Sequence, residues 1–467
     1  MRRRGSVLVG VLWCLAILSV VVIGVLHTAR MDLLVVKNYG DRIQAHYLAL
    51  AGVEKAKALL YNEGRERTRS GTQHSGGLHN APEHFRDVAF GRGQFRVLRR
   101  GRADEGGGVM YGVSDEESRL NLNGAAADAL AKLYGMTPEL VAAIMDWRDE
   151  DNQVTPGGAE SDYYVSLRPP YQPRNGPFQT IRELLMVRGV SPQLLREDDI
   201  HLNGLFEPAA DDRDDDGPGV MDTGWAGLLT LDSGVKDVSA TGGDRVNIQS
   251  ADERSLTAIR GITSDIAKAM VAYRGNNRFE SIADLLEVSA VNQNQPGANL
   301  GATPPAQGQP APPDQNQSGP PPPGQPPNVR AAGPPGPKVV SESLLMDIAD
   351  DLTTQSSPDL VGAININTAS LEVLACLPGV SRELAQAIIS FRQSNGFLPN
   401  IAWLLKVPGM TRDIFKQVAP QVSARSETYR ILSEGKVTSS GARQRIQEIV
   451  RVGLHDLTTL SYREDDL

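Results

Sequence analysis

Residues 6–64 read SVLVGVLWCLAILSVVVIGVLHTARMDLLVVKNYGDRIQAHYLALAGVEKAKALLYNEG, and the way this stretch is read decides the fold. Ser6 to Leu26 carries no charge over 21 residues, which at a helical rise of about 1.5 Å per residue matches the hydrocarbon thickness of a bilayer. A secretory signal peptide has a shorter apolar core, roughly 7 to 15 residues, and ends at a small-residue cleavage site. Here Ala45, Leu48, Ala49, Gly52, Val53, Ala56 and Leu60 recur at helical spacing beyond the span, so one helix is predicted to continue to about Gly64. Arg2, Arg3 and Arg4 hold the N-terminus in the cytoplasm, and the chain after Leu26 faces the other compartment.

Gly5 raises a further reading of the opening, a cut on the cytoplasmic side of the span. MRRRG followed by Ser6 resembles a prepilin leader, in which the peptidase removes the basic segment and leaves the apolar helix on the mature protein. The leader-cleavage residues are then Gly5 and Ser6. Most pilin-like proteins carry glutamate at the fifth mature position, where it pairs with a neighbour's terminal amine; Gly10 stands there in this chain. A subunit with nothing assembled ahead of it needs no such carboxylate. An uncleaved signal anchor is the plainer alternative.

The net charge of −9 over 467 residues argues against a chain built as a whole to hold nucleic acid. Of the two cysteines, Cys14 lies in the apolar run, so Cys376 has no soluble partner and reads as a buried core thiol. Asn62 to His84 reads as a polar loop, and β-forming runs then follow at Phe95–Leu98 and Val109–Val113. Similar runs return at Tyr429–Leu432 and Ile446–Val452. Paired into one antiparallel sheet on the long helix, they make everything between them an insertion.

The insertion carries an internal repeat. Its copies open at Asn121 (NLNGAAADALAKLYGMTPELVAAIMDWR), Asn247 (NIQSADERSLTAIRGITSDIAKAMVAYR) and Asn365 (NINTASLEVLACLPGVSRELAQAIISFR), in one ungapped register. Gly135, Gly261 and Gly379 mark a tight turn, and Thr137, Thr263 and Ser381 are placed to cap the helix after it. An aromatic-Arg pair ends each copy (Trp147-Arg148, Tyr273-Arg274, Phe391-Arg392), and an apolar helix resumes from Phe178, Phe279 and Phe397. These copies resemble helix-hairpin-helix modules, which often bind the DNA backbone through the glycine turn. Copy one has 12 acidic residues against 7 basic and copy three has 3 against 5, so nucleic acid is not expected, with copy three the exception to watch. Between copies two and three, residues 291–338 hold 15 of the chain's 30 prolines and are predicted to be a disordered spacer.

No phosphate-cradling glycine loop, zinc-spaced His or Cys pair, or elbow serine occurs, so no catalytic residue is expected. Copy one alone carries a 29-residue insert between Arg148 and Phe178. There Asp149, Asp151, Asn152, Glu160 and Asp162 offer hard oxygen donors on a glycine-containing loop, which is either a Ca²⁺ site or a solvated acidic loop. A second run offers Asp212, Asp214 and Asp216 at alternate positions before Gly217, the front half of a calcium loop whose twelfth position is Thr223 instead of glutamate.

Taken together, the leader RRRGS, Gly10, ALAGVEKAKALL, SDEESRLNLN, MDWRDED, GGAESDYY, PYQPRNGPFQTIRELLMVRG and ININTA resemble minor pseudopilin K of the type II secretion system, the general secretion pathway protein K family. The resemblance implies an α+β fold: a pilin-like long N-terminal helix plus a small antiparallel sheet, with a large inserted all-α domain of helix-hairpin-helix-like repeats. It implies Ca²⁺ in that domain, and a non-enzymatic place at the tip of a periplasmic pseudopilus with minor pseudopilins I and J. Prepilin peptidase and the inner-membrane assembly platform follow as further partners.

The expected organisation is a leader (1–5), the membrane span (6–26), its amphipathic continuation (27–63) and the first pilin-like strands (64–118). Repeats one and two (119–290), the Pro-rich linker (291–340), repeat three (341–422) and the remaining strands (423–467) follow. The chain would sit in the inner membrane by a single pass, with its bulk in the periplasm. Repeat two and the linker depart from the family's usual pattern. Two other classes compete: a membrane-anchored DNA-binding protein for uptake, and a carboxylate-dependent periplasmic hydrolase.

Overall fold

The computed structural model describes residues 4–71, 77–197, 199, 202, 224–290 and 336–464. One helix, α1 (Arg4–Ser70), runs through both the apolar span and its continuation; at about 1.5 Å per residue it is about 100 Å long. It passes the predicted end near Gly64, because Arg65 to Ser70 holds no breaker and Arg67 and Arg69 suit the negative end of a helix. Gly71, at φ +64°, ends it. The loop expected from Asn62 therefore begins only at Gly71. Side chains from Val7 to Leu26 are all exposed, as a helix surrounded by lipid requires.

The sheet comprises β1 (Val88–Phe90), β2 (Gly93–Arg100), β3 (Val109–Tyr111), β4 (Ser114–Asp115), β5 (Thr428–Val437), β6 (Arg443–Val452) and β7 (Leu457–Arg463). It is antiparallel in the order β1-β2-β5-β6-β7, with β3 on β2 and β4 on β5. The predicted runs pair as Leu98 with Leu432 and Tyr429 with Val450, while β1, β4 and β7 were not anticipated. Ala49, Val53, Ala56 and Leu60 of α1 pack on Val97, Ile431, Ile446 and Val450. Approach is close enough that a Cβ on Gly435 would lie 2.1 Å from the Ala45 carbonyl oxygen, so this strand position admits only glycine.

The insertion joins the sheet between β4 and β5 and folds as three helical units around one continuous apolar core. Each unit opens and closes with a two-residue parallel pair: Leu120–Asn121 with Leu229–Thr230, Val246–Asn247 with Leu352–Thr353, and Ile364–Asn365 with Val422–Ser423. Two predicted boundaries move. Residues 341–353, assigned to repeat three, close the second unit, because helix Glu342–Ile348 and strand Leu352–Thr353 supply the parts that Arg412–Val418 and Val422–Ser423 supply to the third. In the third copy Leu398 takes the place of Phe178 and Phe279: Asn367 bonds its backbone as Asn123 bonds that of Phe178, and Phe397 is left 41 % exposed. Of the predicted spacer, residues 291–335 lie outside the described residues.

Each repeated residue has a structural task. Arg148, Arg274 and Arg392 donate to the carbonyls of Leu122, Ile248 and Ile366 in the opening turn of their own units. Thr137, Thr263 and Ser381 cap the helices that follow the glycine turns, accepting from the N–H of Leu140, Ile266 and Leu384. The turn itself is covered: a Cβ on Gly135 would lie 2.7 Å from Leu194 of the closing helix, and one on Gly189 would lie 3.0 Å from Leu140 of the opening hairpin. Units one and three thus hold two hairpins, each with its glycine turn against an apolar residue of the other; Gly379 against Ile414 and Gly409 against Leu384 repeat the scheme.

Three consecutive buried carboxylates weld the units to the sheet. Asp115 accepts from Asn365 (3.0 Å), Thr368 and Ser426 of the third unit and its exit. Glu116 bridges Arg430 of β5 (2.7 Å) and Thr230 of the first unit. Glu117 accepts the N–H of Gly234 and of Thr428 at 3.1 and 3.2 Å.

Candidate metal centre

Helix Pro138–Arg148 ends at the insert, and its last turn presents Asp146 and then Asp149. The insert returns over that turn and brings Glu160, which precedes the short helix Ser161–Val165, onto the two aspartates. One oxygen from each of the three lies within 4.8 Å of the others. Asp146 is fully buried and Glu160 is 2 % exposed.

Among the described residues, Asp149 Oδ1 and both oxygens of Glu160 are buried without a hydrogen-bond partner. Asp146 accepts the Thr155 N–H, at 3.2 to 3.3 Å. Burial, with Asp149, Asp146 and Asp151 nearby, pushes the Glu160 carboxyl up to about 7, and burial with Asp151 and Asp146 raises Asp149 as well. Buried oxygens that accept nothing, in a cluster of like charge, are costly alone and become favourable once a cation joins them. The donors are all hard oxygens, which fits a divalent cation of the calcium or magnesium type. Asp146, Asp149 and Glu160 are the residues that would hold it.

Asp151 turns its carboxylate to the Gln153 N–H (2.7 Å), Asn152 accepts from Ser161 and Asn175, and Asp162 is exposed. Those three are not part of the cluster. Asp212, Asp214 and Asp216 lie outside the described residues. Asp146 was missed, although its spacing of three from Asp149 puts both on one helix face. Asn175, at φ +45°, bonds Asn152 and the Asp151 carbonyl and leaves its own Oδ1 buried without a partner. Gly158 lets the loop pass close, since a Cβ there would lie 2.1 Å from Asp146 Oδ2.

The third unit's surplus of cations is largely spent inside the molecule. Lys416 meets Asp284 at 2.7 Å, Arg412 meets Glu342 at 2.7 Å, and Arg392 is buried beside Asp104 at 3.2 Å. Cys376 is buried, with its thiol pushed up to about 11 by desolvation.

Residues 112–197, which contain this centre, match the family described as type II secretion system (T2SS), protein K. Type II secretion system protein K of Pseudomonas aeruginosa is 25 % identical over 313 residues, 61 % of this chain and 86 % of that protein. Over residues 112–197 the chain is thus similar to the type II secretion protein K family. Protein K of Pectobacterium carotovorum subsp. carotovorum is 28 % identical over 204 residues, 42 % of this chain and 61 % of that protein. The crystal structure of the GspK-GspI-GspJ complex from the enterotoxigenic Escherichia coli type 2 secretion system is also similar, at 12 % identity and a TM-score of 0.40, covering 90 % of this chain and 97 % of that chain. Residues 242–295 and 361–423 match the helix-hairpin-helix motif, which therefore lies in the second and third units.

Proposed function

We propose that this chain is a non-enzymatic minor pseudopilin at the tip of the type II secretion pseudopilus, where it starts or caps assembly with minor pseudopilins I and J. Prepilin peptidase cuts between Gly5 and Ser6, and the inner-membrane assembly platform draws the mature helix out of the membrane. The bulk of the chain lies in the periplasm, and Ca²⁺ is the ion of the Asp146, Asp149 and Glu160 centre.

The observation that carries this reading is the position of the inserted units. They leave and rejoin the sheet beside the end of α1 farthest from the membrane span, where a Cβ on Gly71 would lie 3.2 Å from Thr241 and one on Gly242 would lie 3.4 Å from Thr68. A domain of that bulk occupies the space in which a further subunit would stack its own helix. Gly10 agrees with it, since an amine from a subunit ahead would find no carboxylate there.

The test is to co-express the full chain with prepilin peptidase and minor pseudopilins I and J, extract the membranes in detergent, and read intact mass and stoichiometry. A chain beginning at Ser6 in a complex with one copy each of I and J is expected. A chain beginning at Met1, or one distributed along the length of pseudopili, overturns the proposal.

A further inference from the structure

The second and third units pack on one another through the same part of each. Helix Arg412–Val418 of the third lies on the 3₁₀ turn Ile282–Glu287 of the second, and helix Glu342–Ile348 of the second lies on the 3₁₀ turn Ile401–Lys406 of the third. The exchange seats Lys416 on Asp284 and Arg412 on Glu342, and Asn400 donates to the Met346 carbonyl at 2.8 Å. Leu286 is left only 2 % exposed.

The register of the repeat puts Glu183 and Leu185 of the first unit where Asp284 and Leu286 stand in the second. Both carboxylates sit in the same local setting, Asp284 accepting the N–H of Glu280 and Ser281, and Glu183 that of Gln179. The cation differs in origin. Asp284 takes Lys416 from another unit, whereas Glu183 takes Arg174 from the first unit's own insert. Tyr171 of the same limb donates to the Met186 carbonyl at 2.6 Å. The insert therefore lies on the first unit's 3₁₀ turn as a neighbouring helical unit lies on the second's. It is the smaller cover, and Leu185 remains 38 % exposed.

This limb is held to the body by the rings of Tyr164, Tyr171 and Phe178 around Trp147, at 5.0 to 6.4 Å between centroids, and by the loop that carries Glu160 onto Asp146 and Asp149. Without a cation the second tether is three carboxylates pressed together, which pushes the loop away. We propose that the insert is the first unit's substitute for a neighbouring unit and that the divalent cation fastens it, so that the cation orders the first unit alone while the second and third hold each other without it. The proposal rests on the cation reading of the 149–177 insert.

The test is hydrogen exchange on the full chain in detergent, read unit by unit in calcium chloride and in EDTA, with calcium binding measured separately by calorimetry. Calcium is expected to slow exchange about tenfold across 140–197 and by less than about twofold across 246–290 and 341–423. Glu160→Gln should abolish that response and leave the second and third units unchanged. Lys416→Glu should speed exchange in the second and third units equally in calcium and EDTA, with the first unit's response intact. Calcium that binds but slows all three units alike, or slows none, overturns the proposal and spares the cation site; no binding in calorimetry overturns both.

Discussion

Glu434 of the sheet and Glu160 of the first helical unit are buried alike, at 1 % and 2 % exposure, and face opposite surroundings. Glu434 is shared by Arg96 at 2.7 Å and Arg445 at 2.9 Å; burial opposes its charge, and the two guanidiniums outweigh burial and hold it below its ordinary range. Glu160 has Asp149, Asp146 and Asp151 nearby and, with burial, is driven the other way, to about 7. Where the fold must hold by itself, the chain encodes the countercharge. In the first unit no cation of the described residues is bonded to Glu160, and on the proposed reading the countercharge comes from solution.

The comparison breaks first at the sheet. Glu434→Ala removes the carboxylate that both guanidiniums share, and, discounted for their partial exposure, should cost about 3 kcal/mol in urea unfolding followed through the β-sheet signal, equally with and without calcium. Gly158→Ala forces a Cβ against Asp146 Oδ2, and calcium affinity by calorimetry should fall by more than about tenfold with the sheet untouched. Glu160→Gln relieves like-charge repulsion, so in EDTA it should stabilise the first unit by about 1 kcal/mol, read by hydrogen exchange across 140–197. A loss of stability instead would mean that the carboxylate already has a compensating partner.

The smallest effect is the sign of the pH dependence in EDTA. A carboxyl raised from 4.5 to about 7 binds more protons folded than unfolded, so its contribution weakens as pH rises from about 4.5 to 7, while calcium affinity grows over the same range. Glu434, lowered, contributes fully above 4.5 and loses that contribution only as pH falls below it. Exchange rates corrected for intrinsic rates should therefore rise across 140–197 as pH goes from 4.5 to 7, hold steady across β5 and β6 over that range, and rise across β5 and β6 only as pH falls below 4.5. Parallel trends would remove the distinction.

Much of the fold was legible because it repeats or because it is apolar over a long run. The span and its continuation follow from an uncharged run and helical spacing, and the three units follow from Asn, Gly and aromatic-Arg recurring in one register. The register misled at two points. Phe397 imitates Phe178 and Phe279, but backbone capping by Asn367 selects Leu398, and the proline-rich stretch hid the fact that 341–353 complete the second unit. Two of the three carboxylates of the cluster were visible as Asp149 and Glu160. Asp146 was not singled out, since a lone aspartate inside an apolar helix gains meaning only when a loop 14 residues later folds back onto it.

By itself, then, the sequence determined the anchor, the single long helix, the sheet split around an insertion, and the repeated hairpin, because each is a local pattern of polarity and turn chemistry. Tertiary structure alone decided which carboxylates meet, which cations are already spent on neighbouring units, and that Asp115, Glu116 and Glu117 join three parts of the chain. Those outcomes depend on contacts between residues tens to hundreds of positions apart, and their energies are set by burial and by partners that no local window contains.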